Sequence, residues 1–128
     1  MDTLGKLAII GAGGFIGAVL RFLISSWVQN RSGSVVYPFG TLTVNMVGCL
    51  LIGFLSALVE NRSMFSPETR NFVLIGLLGA FTTFSTFGSE TLNLIRDSRL
   101  ELAALNAGGQ VVLGIGLVWL GRVIAALL

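Results

Sequence analysis

The sequence predicts an all-α integral membrane protein with four transmembrane helices in one domain over residues 1–128. Of its 128 residues, 54% are hydrophobic and only 11% are charged, whereas an average soluble domain carries about 25% charged residues. A soluble fold of this length needs more polar side chains to cover its surface. Long charge-free stretches alternate with short polar segments, which is the pattern of a chain that crosses a membrane repeatedly.

The first span is predicted at about 4–28, with Arg21 near its far end, where a long arginine can snorkel or face a wet vestibule. Its segment Ile9 to Gly17 imitates a dinucleotide-binding glycine turn. That turn needs a preceding strand and an acidic residue about 20 positions later, and no Asp or Glu lies between Gly17 and Glu60. Gly13 and Gly17 instead form a G-x-x-x-G face, which predicts close helix packing.

The other spans are predicted at about 37–59, 67–95 and 99–126, around the charge-free stretches 39–59, 71–89 and 102–121. The first of these stretches is roughly 31 Å long as a helix, enough to cross a bilayer core. Helix-start signals support the boundaries: Ser66-Pro67-Glu68 reads as an N-cap followed by an acidic first turn, and Ser98 to Glu101 reads as a capping box. Between the first two spans, 30–34 is predicted to be a polar loop.

Composition also excludes several classes of function. The chain has no His and one Cys, Cys49, so it cannot build a zinc or iron–sulfur site or an intrachain disulfide. A net charge of +2 is too small for a nucleic-acid footprint. Without His no nucleophile-and-base set can be assembled, and we predict neither an enzyme nor a nucleic-acid-binding protein.

The positive charges are almost evenly divided between the two sides of the predicted bundle. One side carries Lys6, Arg62, Arg70 and Arg122, and the other carries Arg31, Arg96 and Arg99, with Arg21 nearby. The positive-inside rule therefore cannot choose an orientation. Two explanations stay open: copies that insert both ways and pair antiparallel, or the noisy counts of a short chain.

Polar side chains inside the spans are the candidate functional residues, because polar groups at membrane depth face the bundle interior or a wet pathway. The second span contains Thr41, Thr43 and Asn45, the third contains Thr82, Thr83, Ser85, Thr86, Ser89 and Glu90, and the fourth contains Asn106 and Gln110. The 82–87 cluster follows Gly76 and Gly79 and is rich in poor helix formers, which predicts a third helix broken mid-membrane. Freed carbonyls there suit a cation such as Na⁺.

Phenylalanines recur every three residues in this cluster, at Phe81, Phe84 and Phe87, and in a continuous helix they would share a face. An aromatic ring is electropositive at its edge, so rings presented edge-on could touch a small anion. Ordinary core packing of the three rings is the alternative explanation.

The motif Gly40-Thr41-Leu42-Thr43-Val44-Asn45, followed by Gly79 to Phe87 with its Thr-Phe-Ser-Thr-Phe string and by Glu90, resembles the Fluc (CrcB) family of fluoride channels. The likeness covers the whole chain, including its length, its four spans and the glycine-rich first helix with Arg21. It implies an antiparallel dual-topology homodimer with two separate fluoride pores and a structural, non-transported Na⁺ at the dimer centre.

The resemblance also implies roles for individual residues. Asn45 would donate its amide to fluoride, Phe84 and Phe87 would offer ring edges, Arg21 would lie in a vestibule, and the carbonyls of Gly79 and Thr82 from both subunits would hold Na⁺. Beside the pores would run a polar track of Ser85, Thr86, Thr41 and Glu90, continued on the fourth span by Asn106 and Gln110. Gly114 occupies the next position on that face and offers no hydroxyl.

The function implied is passive exit of fluoride through a cell membrane, expected to be the bacterial inner membrane, with lipid, fluoride and a second copy as partners. Such exit would lower cytoplasmic fluoride and its toxicity. An alternative class is a small dual-topology proton-coupled multidrug exporter, which would need a carboxylate in its first span. A structural or regulatory membrane subunit is a third class.

Overall fold

The computed structural model describes residues 1–62 and 65–128, with the side chains of residues 61 and 62 left out, and all regular structure in these residues is helical. Within the described residues, four segments are long and apolar enough to cross a membrane: Thr3–Ser32, Phe39–Glu60, Pro67–Arg96 and Leu100–Ala126. The all-α prediction with four long apolar helices is therefore confirmed.

Three of the four segments are single helices: α1 (Thr3–Ser32), α2 (Phe39–Arg62) and α6 (Leu100–Ala126). The third segment is composite and consists of α3 (Pro67–Arg70), a π-helical stretch π1 (Asn71–Leu78), α4 (Gly79–Phe81) and α5 (Phe84–Arg96). The predicted polar loop at 30–34 begins later than expected, because α1 continues through Ser32 and ends on Gly33, whose φ of 66° is left-handed.

The helix-start signals have different outcomes. The N-cap prediction at Ser66 is confirmed, since its side chain accepts a hydrogen bond from the Thr69 N–H at 3.2 Å. The capping-box prediction at Ser98 is wrong. Ser98 has a left-handed φ of 59°, and Arg99 takes the N-cap position of α6 without a side-chain bond.

Close contacts through glycine hold α1 against the third segment. Gly13 and Gly17 are buried, and a Cβ on either residue would overlap the backbone of π1, at Phe72 and Leu77 respectively. Gly76 of π1 likewise lies against the Ile10 carbonyl. The predicted G-x-x-x-G packing face is therefore present, and α1 is one helix through the segment that imitates a dinucleotide turn.

A second pair of close contacts joins α2 to α6. A Cβ on Gly53 would overlap the Val118 backbone, and a Cβ on Gly121 would overlap the backbone at Leu50. Three other glycines of α6, at 108, 109 and 116, make no such contact, since a Cβ there would meet no atom within 4 Å among the described residues.

The third segment is interrupted at two residues. Thr82 (φ −90°, ψ 160°) and Thr83 (φ −151°, ψ 110°) are extended and separate α4 from α5. The interruption also separates the phenylalanines: Phe81 is buried, whereas Phe84 is 82% exposed. The three rings therefore do not share one face, contrary to the arrangement expected of a continuous helix.

Candidate functional site

The site is built around the extended residues Thr82 and Thr83, which α2 holds through Asn45. The Asn45 Oδ1 accepts the Thr83 N–H at 2.8 Å, and the Asn45 Nδ2 donates to the Thr83 carbonyl at 3.1 Å. In an uninterrupted α-helix the Thr83 N–H would bond the Gly79 carbonyl. The side-chain amide of Asn45 therefore replaces a helical bond and stabilises the interruption.

A chain of hydrogen bonds leads from Asn45 into α6. The Asn45 Nδ2 donates to Gln110 Oε1 at 2.8 Å, and the Gln110 Nε2 donates to Asn106 Oδ1 at 3.0 Å. The Asn106 Nδ2 then donates to Thr91 Oγ1 of α5 at 2.9 Å. Gln110 is buried and Asn106 is fully buried, so α2, α5 and α6 share an uncharged polar network inside an apolar bundle.

Thr41 and Glu90 form a second polar pair between α2 and α5. The Thr41 hydroxyl donates to Glu90 Oε1 at 2.7 Å, and Thr41 is buried. The other oxygen, Glu90 Oε2, is buried without a hydrogen-bond partner among the described residues. Glu90 also lines two cavities of about 490 and 510 Å³, and Val35, Val36 and Pro38 line both of them.

The hydroxyls of the cluster contact one another at the start of α5. Thr83 is the N-cap residue, and its Oγ1 accepts the Thr86 N–H at 3.2 Å and donates to Thr86 Oγ1 at 2.8 Å. The Ser85 Oγ lies 3.4 Å from Thr83 Oγ1. Ser85 and Thr86 are both exposed, so their hydroxyls can also reach groups outside this network.

Arg21 reaches the interruption from α1. Its guanidinium donates to the Thr82 carbonyl at 3.3 Å. Arg21 lines a cavity of about 230 Å³ together with Ser25, Thr41, Thr83 and other residues. The predicted vestibule residue thus contacts the same threonine whose carbonyl was expected to bind Na⁺.

Phe84 and Phe87 lie together in the first turn of α5, directly after the interruption. Their ring centroids are 5.4 Å apart and the rings are tilted by 48°. Both rings line an apolar cavity of about 350 Å³, together with Asn45, Gly79, Thr82 and Gln110 among others. The amide donor and the aromatic rings predicted to act on one ion therefore border one space.

Sequence reasoning left two residues of the network out of the site. Thr83 was recognised only as a member of the threonine cluster, and Thr91 was not considered. The Thr91 hydroxyl donates to the Phe87 carbonyl at 2.7 Å while accepting from Asn106. The position of Thr91 directly after Glu90 is the one sequence feature that points to it. Its partner on α6, Asn106, becomes evident only from the packing of the helices.

The described residues contain no group of three or more His, Cys, Asp or Glu side chains able to hold a metal ion. Backbone oxygen is available instead, at Gly79 and Thr82. The bond that Asn45 makes to Thr83 leaves the Gly79 carbonyl without its usual α-helical donor. These are hard oxygen ligands of the kind that Na⁺ accepts.

A multi-pass membrane protein with an uncharged polar network at an interrupted helix is the class that this fold and site define. Residues 8–122 match the family described as CrcB-like protein, Camphor Resistance (CrcB). The chain therefore belongs to the CrcB family.

Named relatives cover most of the chain. It is 47% identical over 119 residues to "Fluoride-specific ion channel FluC 1" of Methanosarcina acetivorans, covering 93% of this chain and 89% of the relative. It is 43% identical, with the same coverage, to "Fluoride-specific ion channel FluC 3" of Methanosarcina barkeri. It is also 43% identical to "Fluoride-specific ion channel FluC" of Maridesulfovibrio salexigens, covering 94% of this chain and 98% of the relative. Ion channels are not enzymes, and this family is not an enzyme class.

Proposed function

We propose that this protein is a fluoride-selective channel through which fluoride leaves the cell passively, across a cell membrane that we expect to be the bacterial inner membrane. The observation that carries the proposal is the 43–47% identity, over 93% of the chain, to proteins named fluoride-specific ion channels. The uncharged network that connects Asn45, Gln110 and Asn106 is compatible with that function.

The physical demand on such a pore is large. A bare small anion in a low-dielectric interior is unfavourable by tens of kcal/mol unless hydrogen-bond donors replace its water. Neutral amides and hydroxyls can supply short, charge-assisted bonds to an anion. A lysine or arginine at the narrowest point would bind the ion too tightly for release. The side chains that continue the network from Asn45, Gln110 and Asn106, are uncharged, which supports conduction rather than trapping.

Phe84 and Phe87 are the proposed aromatic contacts. Their rings border the same space as Asn45, and their electropositive edges would face fluoride while Asn45 and the hydroxyls of Ser85 and Thr86 complete its shell. Thr41 and Glu90 would form the outer part of the track, and Asn106 and Gln110 its continuation along α6.

The proposed assembly is an antiparallel, dual-topology homodimer with two pores. Phe84 is 82% exposed in a single chain, although it is a large apolar residue beside a polar site. A second copy seated over this side would enclose both the ring and the open cavity. Thr82 and Thr83 lie near the midpoint of the Pro67–Arg96 span, so the interruption would fall mid-membrane and close to the partner.

A structural Na⁺ is proposed at the centre of that dimer, held by the Gly79 and Thr82 carbonyls of both copies. The available Gly79 carbonyl supports this site, and the Arg21 guanidinium on the Thr82 carbonyl would compete with the ion for one lone pair. Because the ligands are backbone atoms, Thr82→Ala should retain the ion, while replacing Na⁺ with a bulky organic cation should lower the melting temperature of the dimer. Unchanged stability and unchanged flux without Na⁺ would contradict the site.

The test of function is efflux from liposomes containing the purified chain, measured with a fluoride electrode, with chloride efflux and protein-free liposomes as controls. We expect fluoride efflux down its gradient, no comparable chloride efflux, and no requirement for a proton gradient. A proton-coupled exporter would instead move organic cations only when a proton gradient is imposed. Absence of fluoride efflux would refute the proposed function.

A further inference from the structure

The side chain of Gln29, near the end of α1, makes two hydrogen bonds to the segment that connects α1 to α2 and one to the start of α2. Its Nε2 donates to the Ser34 carbonyl at 2.6 Å and to the Tyr37 carbonyl at 3.1 Å. Its Oε1 accepts the Gly40 N–H at 3.0 Å. Both amide hydrogens and the amide oxygen of this half-buried side chain are therefore bonded to the connection and to the start of α2.

Gln29 acts together with other restraints on this connection. Ser34 Oγ accepts the Val36 and Tyr37 N–H groups at 3.3 and 2.9 Å, which forms a local turn, and the Ser34 N–H bonds to Ser32 Oγ of α1 at 3.2 Å. Tyr37 is buried, whereas Val35 is 99% exposed. Gln29 is the side chain that bonds both to this turn and to the start of α2.

The position fixed by Gln29 is next to the polar track. Gly40 lies so close to Ser25 of α1 that a Cβ would overlap the Ser25 carbonyl, and the Gln29 bond holds the Gly40 amide on the same side. Thr41 follows directly and donates to Glu90 Oε1 at 2.7 Å. A shift of the start of α2 would therefore move the Thr41 hydroxyl relative to Glu90.

The same segment also shapes the access to Glu90. Val35, Val36 and Pro38 line both cavities that Glu90 borders, of about 490 and 510 Å³. Besides Glu90, one cavity is lined by Asp97 and Arg99, whereas the remaining lining residues of the other are uncharged and include Ser26, Gln29 and Asn30. The connection therefore forms part of the wall of both spaces next to Glu90, and Gln29 bonds to it.

We propose that Gln29 is a positioning residue for anion passage. By fixing residues 33–40, which comprise the connection and the first two residues of α2, it holds the Thr41 hydroxyl against Glu90 and keeps the cavities next to Glu90 open. The proposal rests on the proposed channel function. Gln29 itself need not touch the ion, since its amide is already used on the connection.

The test compares Gln29→Met, which keeps the length of the side chain and removes all three bonds, with Leu23→Met. Leu23 is an exposed residue of the same helix, and it lines neither of the cavities that Glu90 borders. Both variants and the wild-type chain are reconstituted, and fluoride efflux is measured beside amide hydrogen exchange. We expect Gln29→Met to lower efflux about five-fold or more and to speed exchange at 33–41 while leaving α6 protected. Leu23→Met should change neither quantity.

Two results would overturn the proposal while the wild-type chain conducts. Faster exchange at 33–41 with unchanged efflux would mean that order in this connection is not needed for passage. Reduced efflux with unchanged exchange would mean that Gln29 acts in another way. If Gln29→Met fails to assemble, Gln29→Glu replaces it, since a carboxylate keeps the acceptor for Gly40 and loses both donors. A wild-type chain without fluoride efflux would refute the function first, and this proposal with it.

Discussion

At the scale of single residues, Asn45 combines a fixed orientation with one replaceable partner. Its paired bonds to the N–H and carbonyl of Thr83 set the plane of the amide. The remaining Nδ2 hydrogen points to Gln110 Oε1 at 2.8 Å, and Gln110 is a buried side chain that also bonds to Asn106. An anion arriving here would have to displace Gln110 Oε1, but the two bonds to Thr83 that orient Asn45 would remain.

Phe84 gives the sharpest prediction at this scale. We expect Phe84→Ile to reduce fluoride efflux severely in folded protein, because the aliphatic side chain keeps much of the volume and loses the electropositive edge. A ring that is 82% exposed in one chain contributes little to the packing of that chain. The measurement is efflux per folded dimer, determined beside a melting curve.

Phe15→Ile is the matched control, since Phe15 is an exposed phenylalanine of α1 outside the proposed path. It should leave efflux unchanged. If Phe84→Ile and Phe87→Ile dimers both fold and retain full efflux, the rings serve packing rather than conduction.

The residue types of this site could be predicted from the sequence, because polar side chains in apolar spans are uncommon and few roles other than a functional one explain them. Their partners could not. The bonds to Asn45 come from the backbone of Thr83, which has the same N–H and carbonyl in every sequence. Thr91 became part of the network only through the register of α5 against α6, and no local pattern encodes that register.

At the scale of elements, the third segment relies on α1 for close packing. Gly17 admits the Leu77 backbone of π1, and only the short helix α4 lies between π1 and the interruption. We predict that Gly17→Ala lowers stability by about 1–3 kcal/mol, because the added methyl group would meet backbone rather than a movable side chain. The decrease should appear as a lower melting temperature of the purified protein.

Gly11→Ala is the matched control on the same helix, since a Cβ there meets nothing within 4 Å. Alanine has the higher helix propensity, so this change should leave stability unchanged or raise it by about 1 kcal/mol at most. Equal losses for the two variants would mean that the contact between Gly17 and Leu77 is not the cause.

The four segments could be predicted because a charge-free stretch is recognised from many residues together. An unusual residue at one position does not hide it. The π-helical stretch and the failed capping box were not. A serine followed three positions later by a glutamate fits a capping box, but Ser98 takes a left-handed φ that ends α5 instead of starting α6. The Ser98 N–H bonds back to the Ile95 carbonyl at 3.0 Å, so the preceding helix determines the conformation of this connection.

At the scale of the whole molecule, the charges bear on how the chain inserts. The Glu60–Arg122 ion pair, 2.6 Å between oxygen and nitrogen, ties α2 to α6 near the end that carries the termini. The Lys and Arg counts of the two sides stay close to equal. A near-zero bias gives the insertion machinery no preferred orientation, which is what an antiparallel dimer of identical chains requires.

We therefore predict that a reporter fused to the C-terminus is found on both sides of the membrane in comparable amounts, and a single orientation in all copies would refute dual topology.

Two charge-shifted variants make the prediction quantitative. Asn30→Lys with Val35→Lys adds two charges at exposed positions of the α1–α2 end and should place the C-terminus outside. Leu127→Lys with Leu128→Lys adds them at exposed positions of the opposite end and should keep it inside. If the working unit is antiparallel, each biased variant alone should lose most fluoride efflux, and co-expression of the two should restore it. Full efflux from either variant alone, once its single orientation is verified, would show that parallel or single chains conduct.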